Sequence, residues 1–160
     1  ENQQTADERI PHLLQIPGFK KFLSIEPMLG KINLKLKERW CFEEEIAHDC
    51  NIKADHISQV ICGGETGYNA RPCHPDWVRS LRDQCKEAGV PFFFKNLGIW
   101  LPSLDVPSGY ADTYCYKRHG SRNPCLAVDN EVMVKVGKKA TGRILDGRTH
   151  DELVWRREEL

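Results

Sequence analysis

The pattern of apolar and polar positions between residues 57 and 98 predicts a strand, a helix and a second strand. Residues 57–62 end in an apolar, β-branched run of the kind found in buried strands. The helix begins at Pro75, which suits the first helical position, and ends at Gly89, a residue favoured just past a helix. Its apolar face contains Trp77, Leu81, Cys85 and Ala88. Residues 90–94 form the second strand, so the segment is a βαβ unit with parallel strands.

The region before this unit predicts another helix and another strand. Thr5 and Glu8 match a capping box, with Thr5 as the N-cap residue of the first helix. Pro11 interrupts the apolar stripe of that helix and predicts a kink or two short helical pieces. Residues 22–25 form an apolar strand that ends at Glu26.

Weaker patterns predict the remaining elements. Ile32, Leu34 and Leu36 alternate with polar residues and predict a short strand. Residues 101–124 contain prolines and glycines without periodicity and predict a long loop. Residues 131–136 predict a strand, and residues 141–145 predict its return strand in a hairpin.

Together these elements predict an α/β fold with a mainly parallel sheet of three or four strands. We expect strands 22–26, 57–62 and 90–94 to lie side by side in sequence order. Residues 1–98 would form the α/β core, and residues 99–160 an irregular C-terminal extension with a hairpin.

The length and the net charge of the chain argue against a complete α/β barrel and against non-specific nucleic-acid binding. A chain of 160 residues is long enough for one domain but short of the about 250 residues of a complete α/β barrel. The 23 basic and 23 acidic residues balance, which argues against non-specific nucleic-acid binding. Residues 117–148 hold eight Lys and Arg against three Asp and Glu, either as a solvated surface or as a site for phosphate or an acidic partner.

The hydropathy, the first residue and the cysteines bear on the cellular compartment of the chain and on whether it is a fragment. No apolar run reaches the about 20 residues of a membrane span, and no signal peptide is evident, so we expect a cytoplasmic chain. The chain begins at Glu1 instead of methionine, so we also expect a fragment of a longer protein. Its seven cysteines are scattered and include no CxxC pair, which predicts reduced thiols and no metal site. Cys62 and Cys85 fall on predicted core faces.

Three charged residues, Glu26, Glu65 and Lys95, stand where the predicted strands end. The carboxyl ends of parallel strands share one edge, where loops gather and ligands bind. We therefore predict that these three are catalytic or ligand-binding, and that Glu65 and Lys95 are coupled across this edge with Glu26 as a third member. Gly63 and Gly64 would let the backbone approach a ligand. The alternative is a purely structural cluster of ion pairs.

Several strings resemble a family of phage and prophage proteins of unknown function. They are ENQQTADERIPHLLQ, FLSIEPMLG, VICGGETGYNARPCHPDWVRSLRDQC, GVPFFFK and VGKKATGRILDGR, within a match from Glu1 to about Arg148. Full-length members look like radical-SAM-type partial (β/α) barrels, which implies S-adenosylmethionine and an iron–sulfur cluster in the intact protein. The grouped cysteines of that cluster belong to an N-terminal half that is absent here, so this chain alone should carry no cofactor and no cluster.

The resemblance also implies roles for individual residues. The residues that would line the barrel mouth are Glu26, Gly63, Gly64, Glu65, Arg71, Lys95 and Asn96. Among them, Gly63, Gly64, Arg71 and Asn96 would bind the cofactor. The family usually has glutamine, tryptophan and glycine after the final lysine, whereas this chain has Asn96, Leu97 and Gly98, without an aromatic ring to stack.

Two functional hypotheses follow. The first is the C-terminal half of a radical-SAM-like enzyme that acts on a nucleotide-like or nucleic-acid substrate, with the missing half as its partner. The second is a non-catalytic α/β module that associates, for example with itself, through an exposed sheet edge. Neither involves a membrane.

Overall fold

The computed structural model describes residues 1–17, 20–37, 56–108 and 125–154. These residues form a mixed α/β structure with a three-stranded parallel sheet and a separate three-stranded antiparallel sheet. Most of the predicted long loop lies outside the described residues, as do Cys41, Cys50 and Cys115. No helix in the described part of the chain is long and apolar enough to span a membrane.

The parallel sheet contains β1 (Lys21–Ile25), β2 (Ile57–Gly63) and β3 (Phe92–Asn96). β2 is the central strand and pairs in parallel with both neighbours. The predicted order and direction of these strands are confirmed. Crossover connections carry the chain back between parallel strands, and the one after β2 contains a helix.

The helix in that crossover, α2 (Pro75–Ala88), follows the predicted spacing. His74 caps its first turn by accepting a hydrogen bond from the Asp76 amide, and Gly89 ends it with a positive φ of 67°. Trp77, Leu81 and Cys85 are buried, as predicted.

The first helix, α1 (Gln3–Leu14), differs from its prediction at its N-cap. Its N-cap residue is Asn2, whose side chain accepts from the Thr5 amide at 3.0 Å, so Thr5 is the third helical residue and not the cap. The helix continues through Pro11 as one element, so the predicted alternative of two helical pieces is wrong, and a kink at Pro11 stays a prediction. Burial of Ile10 and Leu14 in the core favours this continuity although Pro11 lacks an amide hydrogen.

The antiparallel sheet contains β4 (Trp100–Pro102), β5 (Cys125–Val128) and β6 (Glu131–Lys135), in the order β4-β6-β5. The strand predicted at 131–136 is confirmed, but its predicted partner is wrong. β6 pairs with the preceding strand β5 through a two-residue turn, Asp129 and Asn130, whose φ angles of 47° and 65° suit a hairpin. Residues Lys138–Thr141 form a short helix, α3, instead of a turn into a return strand.

The strand predicted around Ile32 and Leu34 is also wrong. The two side chains are buried, but the side chain of Gln84 on α2 bonds their backbone. It donates to the Ile32 carbonyl at 2.8 Å and accepts from the Leu34 amide at 2.8 Å. The alternating pattern therefore reflects burial of two side chains beside a helix and not a ladder of strand pairs.

One hydrophobic core joins both sheets to the helices. From the parallel sheet it includes Ile25, Val60, Cys62, Phe92 and Phe94, and from α2 it includes Trp77, Val78, Leu81 and Cys85. Leu101, Val134, Val136 and Leu145 belong to the same cluster. Residues before and after position 98 thus share a core, and the division into segments 1–98 and 99–160 stays a prediction.

The opposite face of the parallel sheet is only partly covered by the residues that the structure describes, and we call it the open face. By strand alternation and register it contains Phe22, Ser24, Gln59, Ile61, Phe93 and Lys95. Gln59 is buried there, because its side chain donates to the Glu152 carbonyl and accepts from the Val154 amide. Phe22 is 47% exposed, Ser24 and Lys95 are exposed, and Ile61 and Phe93 are half-buried.

The two outer edges of this sheet also differ. Residues near the C-terminus run beside β3, where Phe93 bridges Asp151 and the Phe94 amide donates to the His150 carbonyl at 2.9 Å. Among the described residues, no strand pairs with the outer edge of β1.

Candidate functional site

Glu26 and Lys95 form an ion pair at the carboxyl edge of the parallel sheet. Nζ of Lys95 lies 3.2 Å from Oε1 and 3.3 Å from Oε2 of Glu26. The two residues come from β1 and β3, which are separated by β2 and therefore stand about 10 Å apart. The pair crosses the central strand over Gly63, where a Cβ atom would lie 2.6 Å from Glu26 Oε1. The missing side chain of Gly63 is what makes room for the pair.

Glu65 has a different partner, Arg71. The guanidinium donates from Nε at 2.9 Å and from the terminal nitrogen at 3.0 Å, and the Arg71 amide donates at 2.8 Å. These bonds lower the pKa of Glu65 from 4.5 to about 2. The predicted pairing of Glu65 with Lys95 is therefore wrong, whereas the predicted association of Glu26 with Lys95 is confirmed. The loop returns Arg71 beside Glu65, and a planar fork plus an amide satisfies both carboxylate oxygens better than one ammonium does.

Gly64 and Gly98 let two backbone segments pack against each other at this edge. A Cβ atom on Gly64 would lie 2.3 Å from the Leu97 carbonyl oxygen, and one on Gly98 would lie 2.4 Å from the Glu65 carbonyl oxygen. Gly98 also has a φ of 90°, which disfavours other residues. In the structure these glycines allow two backbone segments of the chain to come close together. The predicted role of Gly64 in cofactor binding stays a prediction.

Asn96 ties the same two segments together. Its buried side chain accepts from the Gly98 amide at 2.7 Å, and its carbonyl accepts from the Gly64 amide at 2.8 Å. The geometry therefore places Asn96 beneath the surface as a support for the loops. Arg71, in contrast, presents an exposed side chain beside Glu65.

The antiparallel sheet braces the loop that follows β2. The Trp100 indole donates to the Ala70 carbonyl at 2.8 Å, and Lys135 Nζ donates to the Tyr68 carbonyl at 2.6 Å. The Lys135 ammonium also lies 5.2 Å from the centre of the Tyr68 ring, which is 91% exposed. An exposed aromatic ring and a half-buried lysine thus lie beside the charged edge.

A cleft of about 370 Å³ opens next to Lys95, a volume within the usual range for small-molecule sites. It is lined by Phe93, Lys95, Asn96, Lys138, Gly142 and Arg143. The Arg143 guanidinium lies 5.0 Å from the centre of the Phe93 ring and pairs with Asp151. We call this the basic cleft.

A second, larger cleft of about 450 Å³ lies elsewhere, between α1 and α2. Its lining includes Gln3 and Gln84, whose side-chain amides bond backbone groups of residues 32–34 across it. Because these polar groups already have partners in the fold, we place the candidate site at the carboxyl edge and not in the larger cleft.

The family model described as "Protein of unknown function (DUF5131)" matches residues 1–154. The chain belongs to this family. No curated protein and no solved structure matches it. The DUF5131 match covers the whole carboxyl edge, but a family of unknown function supplies no activity, so the chemistry must be argued from the geometry.

Buried thiols in this DUF5131 protein do not fit an iron–sulfur cluster. Cys62, Cys73 and Cys85 are buried free thiols, which confirms the predicted core positions of Cys62 and Cys85. Burial raises the pKa of Cys73 and Cys85 to about 12, and it raises that of Cys62 well above the usual value. A cluster needs grouped thiolates. In the described segments, no three His, Cys, Asp or Glu side chains are grouped so that they could hold a metal ion.

Four side chains near the carboxyl edge were not predicted from the sequence: Tyr68, Lys135, Lys138 and Arg143. The fold brings them to this edge from positions far apart in the chain, and no local spacing in the sequence indicates this. The excess of basic residues between 117 and 148 was the available signal for Lys135, Lys138 and Arg143. Tyr68 had no comparable signal beyond its place in a glycine-rich loop.

Proposed function

We propose that this DUF5131 chain is the C-terminal half of a phage or prophage radical-SAM-like protein, folded as part of a (β/α) barrel. The observation that carries the proposal is the open face of the parallel sheet. Parallel sheets are normally covered on both faces, and in a barrel the helices cover the outside while the inner face lines the interior. Here α2 packs on one face only, and the open face leads to the charged carboxyl edge.

The carboxyl edge is proposed to bind a polar cofactor or a nucleotide-like substrate. Barrel enzymes bind their ligands at this end of the strands. A carboxylate beside an ammonium, as in the Glu26–Lys95 pair, complements the α-amino and α-carboxylate groups of S-adenosylmethionine. Both side chains are accessible from solvent, so a ligand could exchange with the ion pair.

If the intact protein is an enzyme, Glu26 is a better candidate for proton transfer than Glu65. A carboxyl group with a pKa of about 2 stays ionised near neutral pH and is a poor acid and a weak base. Glu65 therefore fits a role in positioning Arg71, while Lys95 would orient the ligand.

Equilibrium dialysis with S-adenosylmethionine tests this proposal. Replacing Lys95 by methionine should weaken binding about tenfold, because one charge-assisted contact is lost. Lys86→Met on the exposed surface of α2 is the matched control and should bind like the wild type. Equal affinities for the two variants, or no saturable binding to the wild type, would contradict the proposal.

The second candidate is a non-catalytic module that associates with another chain through a sheet edge. Among the described residues, no strand pairs with the outer edge of β1 at residues 23–25, where a strand of another chain could add to the sheet. That chain would be either the N-terminal half or a second copy. Sedimentation velocity over a wide concentration range should show dimers if self-association is the function, and monomers throughout would contradict it.

A further inference from the structure

The basic cleft has an unusual charge. Three of its six lining residues, Lys95, Lys138 and Arg143, are cations, and none is a carboxylate. This contrasts with the chain as a whole, whose basic and acidic residues balance. Three cations around a small cleft raise the local concentration of an anion even when the whole protein is neutral.

The three cations differ in how far their charge is already satisfied. Lys95 pairs with Glu26, and Arg143 pairs with Asp151, both of which stand outside the lining of the cleft. The Lys138 side chain is exposed, and its ammonium forms no hydrogen bond or ion pair with any residue that the structure describes. Among the described residues, the cleft therefore keeps at least one cation without a partner, and Arg143 keeps further N–H donors for an anion.

Phe93 gives the cleft an apolar wall with a fixed cation over it. The Arg143 guanidinium stands 5.0 Å from the ring centre, within the range of a cation–π contact. That contact and the pair with Asp151 hold the guanidinium in place, so little side-chain entropy remains to be lost when an anion binds. A flat ligand group could extend along the half-buried Phe93 and Ile61 of the open face.

We propose that the basic cleft binds the phosphate of a nucleoside phosphate, with Lys138 and Arg143 as its main ligands and Phe93 beside the nucleoside. Phosphate is the anion that an Arg fork and a Lys point charge recognise together. The inference rests on the proposed function to the extent that Lys95 belongs to both sites. It adds the phosphate as the group that is recognised, and two residues, Lys138 and Arg143, that the proposed function does not use. The phosphate belongs either to a free nucleotide or to a single-stranded nucleic acid.

Isothermal titration calorimetry at low salt tests the inference with four probes. They are AMP, adenosine, inorganic phosphate and a single-stranded oligonucleotide of about eight nucleotides. AMP should bind more tightly than adenosine, and Lys138→Met should weaken AMP binding about tenfold while leaving adenosine binding unchanged. Lys139→Met is the matched control, because Lys139 is exposed on the same short helix but does not line the cleft. Arg143→Met should have an effect at least as large as Lys138→Met.

The outcomes separate the sources and the two proposals. Tighter binding of the oligonucleotide than of AMP, with the same Lys138 dependence, assigns the cleft to nucleic acid, and the reverse assigns it to free nucleotides. Equal binding of AMP and adenosine, equal effects of the Lys138 and Lys139 variants, or no AMP binding would overturn the inference. S-adenosylmethionine carries no phosphate. The effect of Lys95→Met on its binding therefore tests the proposed function independently of the AMP result.

Discussion

The two faces of the parallel sheet are built from the same three strands but have opposite properties. Towards α2, the side chains of Val60, Cys62 and Phe94 are fully buried in one hydrophobic core. On the open face, Phe22 is nearly half exposed, and the strands lead to the ion pair of Glu26 with Lys95. The first face forms the core that stabilises the fold, and the second is where we propose that a ligand binds.

The contrast between the two faces shows that an apolar strand can have both core residues and surface residues. β3 has three consecutive phenylalanines, and the sequence does not say which of them serve the core. Burial against α2 assigns Phe92 and Phe94 to the core and leaves Phe93 as the wall of the basic cleft. The predictions below test this separation of stability from binding.

The largest effect should come from truncating a core phenylalanine. Phe94→Ala should lower the free energy of unfolding by about 3–5 kcal/mol, because it removes a buried ring and leaves a cavity. Phe22→Ala on the open face should cost no more than about 1 kcal/mol. Urea unfolding of both variants measures the difference, and equal losses would mean that the two faces are not distinct.

The next effect concerns the contact between the loops at the carboxyl edge. Gly64→Ala should destabilise the fold by about 1–3 kcal/mol, because the new Cβ would collide with the Leu97 carbonyl. Gly30→Ala is the control, since its Cβ would have only one neighbour, at 3.9 Å. Thermal unfolding compares the two, and a harmless Gly64→Ala would show that the two backbone segments are farther apart than described.

Much of the fold could be predicted from the sequence, because regular spacing determines regular elements. The apolar runs of the three parallel strands and the helical spacing from Trp77 to Cys85 each report a local periodicity that burial preserves. The predicted hairpin is wrong because the residues that follow β6, Lys138–Thr141, form the short helix α3. The Asp129–Asn130 pair, which tolerates positive φ, makes the turn instead.

The candidate site was less predictable, because ion pairs depend on distances across the fold. Strand ends identified Glu26, Glu65 and Lys95 as neighbours of one edge, but not which carboxylate would reach the lysine. That choice depends on Gly63, which opens a path between Glu26 and Lys95, and on Arg71, which engages Glu65. Neither the space above Gly63 nor the contact of Arg71 with Glu65 produces a periodic pattern in the sequence.

A double-mutant cycle sharpens the choice of partner. Lys95→Met and Glu26→Gln should couple by about 0.2–1 kcal/mol, the range for partly exposed pairs, since Lys95 is 55% exposed. The cycle of Lys95→Met with Glu65→Gln should be additive, because Glu65 is engaged by Arg71. Urea unfolding near pH 7 measures both cycles. Coupling in the second cycle and none in the first would reverse the assignment.

The smallest effect is expected from the pH dependence of the Glu65–Arg71 pair, because water screens this largely exposed pair. A carboxyl group whose pKa falls from 4.5 to about 2 on folding contributes stability that is fully present above pH 4.5. This contribution is lost as the pH falls towards 2. The stability advantage of the wild type over Glu65→Gln should therefore shrink between pH 5 and pH 2, as measured by thermal unfolding. A constant difference over that range would mean that the pair is not formed.

The central claim is that ligands bind on the open face at the carboxyl edge of the parallel sheet. The most direct measurement is the change in backbone amide NMR shifts of the chain during a titration with AMP. The account predicts saturable changes at Lys95, Lys138 and Gly142, with none at the opposite end of the sheet around Ile57 and Phe92. Changes confined to that opposite end, or to the larger cleft beside Gln84, would contradict it.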